Sequence, residues 1–190
     1  MIRASIGDSD VELETDSRLF SPREVDAGTL AMLSCVQFSA KDKVLDLGCG
    51  YGVVGIVAAK QIGAERVFMI DNDAVAIEIA SSNARINGVD GITVVQSDGF
   101  RDFAEIGFTQ ILCNPPYHAD FGVPKHFVHK GFNRLDVGGR LWMVTQRTVW
   151  YRNKLKAIFG FVREHSNPPY TVFEATKTSA SYAKTTRGRA

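Results

Sequence analysis

The sequence predicts an α/β fold: a seven-stranded sheet, mostly parallel with one antiparallel strand in a C-terminal hairpin, with helices on both faces. Three observations predict it. Short apolar runs of strand length alternate with longer stretches of helical period between Lys43 and Phe159. Such alternation implies right-handed crossovers and a parallel sheet covered on both sides. A glycine loop, Gly48-Cys49-Gly50-Tyr51-Gly52, joins the first of these strands to the helix after it. The last two apolar runs flank a proline turn too short to hold a helix, so they form a hairpin and one strand is reversed.

Each element has a local reason. Residues 2–20 read as a short hairpin around Gly7-Asp8-Ser9-Asp10, where Val11 and Leu13 alternate with acids. Ser21-Pro22-Arg23-Glu24 reads as a helix start, a cap residue followed by proline and an acid, with the helix running to Phe38. Lys43–Leu47 is an apolar strand, and Val53–Ile62 is helical. Arg66–Ile70 is the next strand; the helix Ala74–Asn87 closes at Gly88. Ile92–Gln96 and Thr109–Cys113 are strands, the second cut off by Asn114-Pro115-Pro116. Phe121–Leu135 is mostly helical, Arg140–Thr145 a strand, and Tyr151–Phe159 a helix closed by Gly160. Phe161–His165 and Thr171–Ala175 complete the hairpin. Residues 1–176 are expected to form one domain: 1–38 hold the N-terminal hairpin and helix, and 43–176 the main sheet. Residues 177–190, rich in Ser, Thr and Ala with four basic and no acidic residues, are expected to be a flexible basic tail.

Composition excludes several classes. Of 190 residues, 45% are hydrophobic and 23% charged, an ordinary globular mix. No apolar run reaches the length of a membrane-spanning helix, and the N-terminus turns acidic at Asp8 without the apolar core of a signal peptide. Cys35, Cys49 and Cys113 make an odd count with no CxxC, so neither a disulfide framework nor a zinc ribbon is indicated. The expectation is a cytoplasmic protein with reduced thiols, monomeric or weakly dimeric. Net charge is +1, yet residues 1–110 hold 9 basic against 17 acidic residues, and residues 111–190 hold 13 against 4. Such polarity suits a basic face toward phosphates, or simply solvated helices.

The glycine loop sits where an open α/β sheet binds its ligand, at the carboxyl end of a strand. Gly50-x-Gly52-x-x-Gly55 also fits the dinucleotide fingerprint. Asp46 counts against that reading, because a carboxylate two residues before Gly48 would repel a pyrophosphate and suits a cationic ligand. Asp71 ends the second strand, where a carboxylate can accept both ribose hydroxyls. Asp98 follows the third strand, within reach of an adenine amine.

Asn114-Pro115-Pro116-Tyr117 ends the fourth strand. Together with Leu47-Gly48-Cys49-Gly50-Tyr51-Gly52 it resembles the NPPY/NPPF amino-group enzymes among the class I S-adenosylmethionine-dependent methyltransferases, a Rossmann-like family. The resemblance runs from Phe20 to about Thr176. Phe20-Ser21, Val25-Asp26-x-Gly28-Thr29 and Gly138-Gly139-x-Leu141-Trp142 look like the small rRNA guanine-N2 methyltransferases, specifically the catalytic half of the methyltransferase C type. The stretch from Gln146-Arg147 to Gly160 is similar to the large-subunit guanine-N2 enzyme. Tyr117 stands where guanine-N2 enzymes commonly carry Phe; Tyr is more usual in enzymes acting on adenine N6 or glutamine amides. Guanine N2 of rRNA is therefore expected, with adenine N6 of tRNA or rRNA as the alternative. Protein glutamine N5 methylation and noncatalytic RNA binding stand behind these.

The resemblance implies S-adenosylmethionine as cofactor, held by Asp46, Gly48, Cys49, Gly50, Asp71, Asn72, Asp98, Gly99 and Asn114. It implies catalysis by Asn114, Pro115, Pro116 and Tyr117, structured RNA as partner, and no metal. The chemistry fits these residue types. An exocyclic amine is a poor nucleophile because its lone pair is delocalised into the ring. The Asn114 side-chain oxygen and the Pro115 carbonyl can each accept an amine N–H and stabilise charge developing on nitrogen. Tyr117 can stack on an extruded base. No strong base is required, since the product ammonium is acidic.

His118, Lys125, His126, His129 and Lys130 follow this loop and read as phosphate contacts or as a solvated helix face. His118 and Lys125 are assigned with Tyr117 to substrate binding. Asn167-Pro168-Pro169-Tyr170 repeats the tetrapeptide, but its place between the last two strands suits a turn. Cys49 and Cys113 are expected to pack rather than react. Trp142 and Phe159 are expected in the core; Phe20 reads as closing over the cofactor or, by preference, as a core aromatic.

Overall fold

The computed structural model describes residues 1–115 and 122–183. Its elements follow the chain as β1 (Ile2–Ile6), β2 (Ser9–Leu13), α1 (Ala27–Leu33), β3 (Val44–Leu47), α2 (Val53–Ile62), β4 (Val67–Asp71), α3 (Ala74–Ile86) and β5 (Thr93–Gln96). Then come β6 (Phe108–Cys113), α4 (Gly122–Arg134), β7 (Leu135–Thr145), α5 (Thr148–Phe159), β8 (Val162–Asn167) and β9 (Tyr170–Thr176). Among the described residues, no helix is long and apolar enough to cross a membrane.

The expected seven-stranded sheet has the order β5-β4-β3-β6-β7-β9-β8. Only β9 is reversed: it pairs antiparallel with both β7 and β8. Alternation along each strand sends side chains to two apolar layers. Val44, Leu112, Trp142 and Val144 join α1, α2, α3 and the β1–β2 hairpin on one face. Leu45, Leu47, Ile111, Leu141 and Met143 join α4 and α5 on the other. Asp46 shares the face of Val44 and therefore points at α2. Trp142 and Phe159 are buried as expected. Strand order turns outward on either side of the β3–β6 pair, so the crevice at their carboxyl ends is where ligands enter such sheets.

Three boundaries differ from expectation. The helix at Ser21–Phe38 is shorter and begins later. Ser21 adopts φ +50, outside a helical start, while Asp26 accepts from Thr29 N at 2.9 Å and caps α1 at Ala27. The strand expected from Arg140 begins at Leu135. Leu135 pairs with Phe108, then the register jumps so that Arg140 meets Gln110. Gly138 at φ +93 absorbs the excursion. In the segment 177–183, expected to open a flexible tail, three residues make packing contacts while 178–182 are exposed. Lys177 donates to Leu135 O at 2.6 Å and lies over the Phe132 ring. The Tyr182 ring meets Phe132 with centroids 4.9 Å apart, and Ala183 N donates to Ile158 O. A lysine whose ammonium has a carbonyl and an aromatic face can be buried, which composition alone does not reveal. Residues 184–190 lie outside the described residues.

One buried amide ties the hairpin to the sheet. Asn83, fully buried in α3, accepts from Glu14 N at 2.7 Å and donates to Glu14 O at 2.9 Å and Tyr51 O at 2.8 Å. Asn87, one helical turn on, makes the corresponding pair with Glu12 N and O nearer solvent. Asn83→Ala strands the buried Tyr51 carbonyl and the part-buried backbone groups of Glu14. The expected loss is about 2–4 kcal/mol in urea unfolding at unchanged m-value. Asn87→Ala, whose partners reach water, should cost less than half as much.

Candidate active site

A cavity of about 490 Å³ opens at the carboxyl ends of β3, β4 and β6. Its floor is the glycine loop. Gly48 N and Cys49 N donate to Ile70 O at 2.9 and 3.0 Å, which stitches the loop to β4. Gly48 and Gly50 take φ of +75 and +54, open to glycine at little cost. Gly55 serves a different end: a Cβ there would lie 2.5 Å from the Met69 side chain, so α2 can approach the sheet only without one. This close approach is what brings Gly55 N within 2.9 Å of the Asp46 carboxylate.

Five aspartates line the cavity, among them Asp46, Asp71 and Asp98 at different depths. Asp46 is 3% exposed, and burial pushes its carboxyl up to about 7. The Gly55 hydrogen bond opposes that rise and the charge of Asp71 adds to it. Asp71 ends β4; its carboxylate accepts from Gly50 N at 2.9 Å and Asp73 N at 3.0 Å, holding the loop and the following turn together. Asp98 stands at the rim beside Arg101 at 3.3 Å, and Gly99 after it meets the Phe127 ring. Asn72 also lines the wall. Among the described residues no lysine lines the cavity, and the one arginine that does, Arg18, is paired bidentately with Asp16.

At the opposite wall β6 delivers Asn114 and Pro115. The Asn114 carboxamide nitrogen donates to Asp26 Oδ2 at 2.7 Å and to Thr29 Oγ1 at 3.0 Å. The segment leading to α1 is held over the glycine loop in turn: the Tyr51 hydroxyl lies 3.2 Å from the carbonyls of both Ser21 and Glu24. Burial pushes the Tyr51 hydroxyl up to about 12, so it stays a donor.

The cavity thus gathers Asp46, Gly48, Cys49, Gly50, Asp71, Asn72, Asp98, Gly99, Asn114 and Pro115. Pro116, Tyr117 and His118 lie outside the described residues. Lys125 is exposed on α4 and does not line the cavity. It belongs to a cationic patch: burial first, then the charges of Lys154, Lys125 and His126, lower the basicity of His129. Burial and Lys125 do the same to Lys154. Cys49 and Cys113 are buried, and burial with the nearby Asp46 and Asp71 charges drives both thiols well above their ordinary range. Neither can act as a thiolate. The second tetrapeptide forms the β8–β9 turn, with Asn167 paired to Tyr170 across it, away from the cavity. Phe20 is not in the core: it is 54% exposed at the cavity mouth. Sequence reasoning assigned no role to Asp26, Thr29, Tyr51 or Phe127. Only Asp26-x-x-Thr29, a cap spacing, carried a local signal.

Comparison with known proteins places this geometry. The profile of the methyltransferase small domain matches residues 10–174. The ribosomal RNA large subunit methyltransferase G of Yersinia enterocolitica is 28% identical over 184 residues, 93% of this chain and 46% of that protein. An uncharacterized Bacillus subtilis protein, YbxB, is 35% identical over 141 residues, 73% of this chain and 70% of its own. The T. thermophilus 16S rRNA N2 G1207 methyltransferase, solved with AdoMet and guanosine, superposes with a TM-score of 0.83 at 26% identity. That match takes in 93% of this chain and 50% of the other. The chain spans about half the length of these two rRNA enzymes. It belongs to the methyltransferase small domain family, whose members use S-adenosylmethionine.

Proposed function

We propose that this chain methylates an exocyclic amine of RNA, with guanine N2 of ribosomal RNA as target, working in the cytoplasm without a metal. The observation that carries this is one cavity with acids at one end and Asn114-Pro115 at the other. The fit to the cofactor rests on that donor set. Asp46 is a buried carboxylate with only one backbone donor, in a site suited to a cation and hostile to a pyrophosphate. Asp71 and Asn72 stand where ribose hydroxyls would be met, and Asp98 and Gly99 where an adenine would lie. When bound, S-adenosylmethionine supplies an electrophilic methyl group on a sulfonium.

The chain's own residues prepare the nucleophile. Asn114 Nδ2 is committed to Asp26 and Thr29, so accepting an amine N–H falls to Oδ1. The Pro115 carbonyl is the second acceptor, and proline stiffens its backbone beforehand. Two preorganised acceptors draw the nitrogen toward tetrahedral geometry and stabilise charge that appears only as the reaction proceeds. Tyr117 would stack on the base; His118 and Lys125, with the patch around Lys154, would meet phosphates. The rRNA enzymes named above support the guanine-N2 reading, and Tyr117 in place of Phe favours adenine N6 as the second.

Mass spectrometry of rRNA nucleosides from cells lacking the protein separates the two. Loss of N2-methylguanosine is the expected result; loss of N6-methyladenosine selects the alternative, and unchanged nucleosides overturn both. In transfer assays on the rRNA so identified, Asn114→Ala should slow turnover about 100- to 1000-fold. Its affinity for S-adenosylhomocysteine should change little by comparison, so the defect should appear in the chemical step. Asn167→Ala should turn over normally and lose of order 1 kcal/mol of stability. Full turnover in Asn114→Ala refutes the assignment.

Asp46 yields a pH dependence. Its folded value near 7 lies above the unfolded value of about 4. The folded chain holds a proton there that the unfolded chain has released. Stability from this group therefore declines as pH rises from about 4 to 7 and is flat above. A cationic ligand favours the ionised carboxylate. Binding of S-adenosylmethionine should tighten from pH 6 to 8 and release a proton at the lower pH, read by calorimetry in buffers of different ionisation enthalpy. Asp46→Asn should bind more weakly and lose the proton release. Identical proton release in the two proteins would assign it elsewhere.

A further inference from the structure

The stretch Val25-Asp26-x-Gly28-Thr29 has so far only marked a resemblance, yet it touches the reacting end of the cavity. Asp26 Oδ2 accepts two hydrogen bonds, from Thr29 N at 2.9 Å and from Asn114 Nδ2 at 2.7 Å. Thr29 Oγ1 lies 3.0 Å from the same Asn114 nitrogen. Both Nδ2 protons are thus engaged, one by a carboxylate and one by a hydroxyl. A carboxamide can rotate by half a turn and exchange its oxygen for its nitrogen at almost no steric expense. In that flipped state it would point N–H groups at an amine that also carries N–H groups. The Asp26 carboxylate can only accept, so it excludes the flip, and the Thr29 hydroxyl accepts the second proton.

We infer that Asp26 and Thr29 are positioning residues for Asn114: they hold its carboxamide in the orientation that aims Oδ1 at the substrate amine, and the Asp26 carboxylate makes that oxygen a stronger acceptor. The second effect follows from polarisation. A carboxylate drawing on an amide N–H shifts electron density toward the amide oxygen, and charge-assisted bonds are about twice as strong as neutral ones. Thr29 is 8% exposed and α1 is rooted by the Asp26 cap, so the clamp is preformed rather than recruited by substrate. The link joins residues 88 positions apart and sets the segment before β3 directly behind the acceptor loop after β6. This inference rests on the reading of Asn114 as amine acceptor, and its test has an arm that does not need turnover.

Asp26→Ser keeps a capping hydroxyl for Thr29 N, but that side chain is too short to reach Asn114 as well. Thr29→Val keeps the shape and removes the hydroxyl. The Asn114 side-chain protons, assigned in ¹H–¹⁵N spectra by their absence in Asn114→Ala, should exchange slowly in wild type. They should exchange at least ~10-fold faster in Asp26→Ser, since the hydrogen bond to the carboxylate no longer protects them. Turnover on RNA should fall about 10- to 100-fold in Asp26→Ser and less in Thr29→Val. KM for RNA and affinity for S-adenosylhomocysteine should stay within about threefold. Asp26→Asn, which keeps an acceptor oxygen without the charge, should recover part of the loss. Combined with Asn114→Ala, Asp26→Ser should add nothing, because it acts through the residue already removed. Equal proton exchange in wild type and Asp26→Ser refutes the clamp whether or not the chain turns over RNA. Faster exchange with unchanged turnover, or full additivity with Asn114→Ala, refutes its part in catalysis. A wild-type chain inactive on every rRNA substrate counts against the proposed function alone.

Discussion

The cavity depends on how closely α2 can approach the sheet. Gly55 lies so near Met69 that a Cβ would overlap it at 2.5 Å, and Gly52 is only slightly less confined. With that spacing Gly55 N reaches Asp46 and the loop from Gly48 to Gly52 folds down onto Ile70 O. Were α2 lifted by one methyl layer, Asp46 would lose its backbone donor and stand buried and unpaired. The glycines are therefore packing residues first. The ligand site is the space left above a helix that has been drawn in.

Charge is sorted by depth as well as along the chain. The acidic first half of the sequence lines the cavity: Asp46 at the bottom, Asp71 midway, Asp98 at the rim. The basic second half supplies α4 and α5, where burial and the neighbouring charges lower the basicity of His129 and Lys154. A cationic cofactor and the proposed polyanionic substrate would each be repelled by the other's binding groups if these were mixed. Placing β6 and its acceptor loop between the two regions lets each keep its own sign. The near-neutral total hides this, which is why net charge alone carried no information about partners.

Local chemistry was legible in the sequence and distant contact was not. The glycine loop, the strand-end acids and the hairpin turn at Pro168-Pro169 each declare themselves within a few residues. The same rule separated the two tetrapeptides: Asn114 follows a parallel strand and Asn167 lies in a turn. Misreadings arose where a contact overrode a local pattern. Ser21-Pro22 has the composition of a helix start, but the Tyr51 hydroxyl holds the carbonyls of Ser21 and Glu24 over the glycine loop, and the helix waits for Asp26. Phe20 has core chemistry but stands at the cavity mouth. Lys177 has surface chemistry but is buried by a carbonyl and a ring. Asn83 gave no signal at all, since its three partners come from residues 32 and 69 positions away.

These distant contacts share a direction. Asn83 fastens the end of the hairpin and the glycine loop to α3; Tyr51 fastens the next segment to that loop; Asp26 and Thr29 fasten α1 to the loop after β6. Each tie carries the first 30 residues one step further across the carboxyl ends of the strands. This N-terminal wrap supplies Ile6, Val11, Leu13, Leu19 and Val25 to one apolar layer, and burying them does not by itself require the chain to cross the strand ends. Its effect is to roof the crevice and to fix the far wall relative to the floor. A methyl donor and an amine must meet in line within a fraction of an ångström, and two loops on neighbouring strands do not hold that tolerance unaided. A third element bonded to both removes their independent motion, and that is the physical sense of finding a helix cap and the Asn114 amide on one carboxylate oxygen.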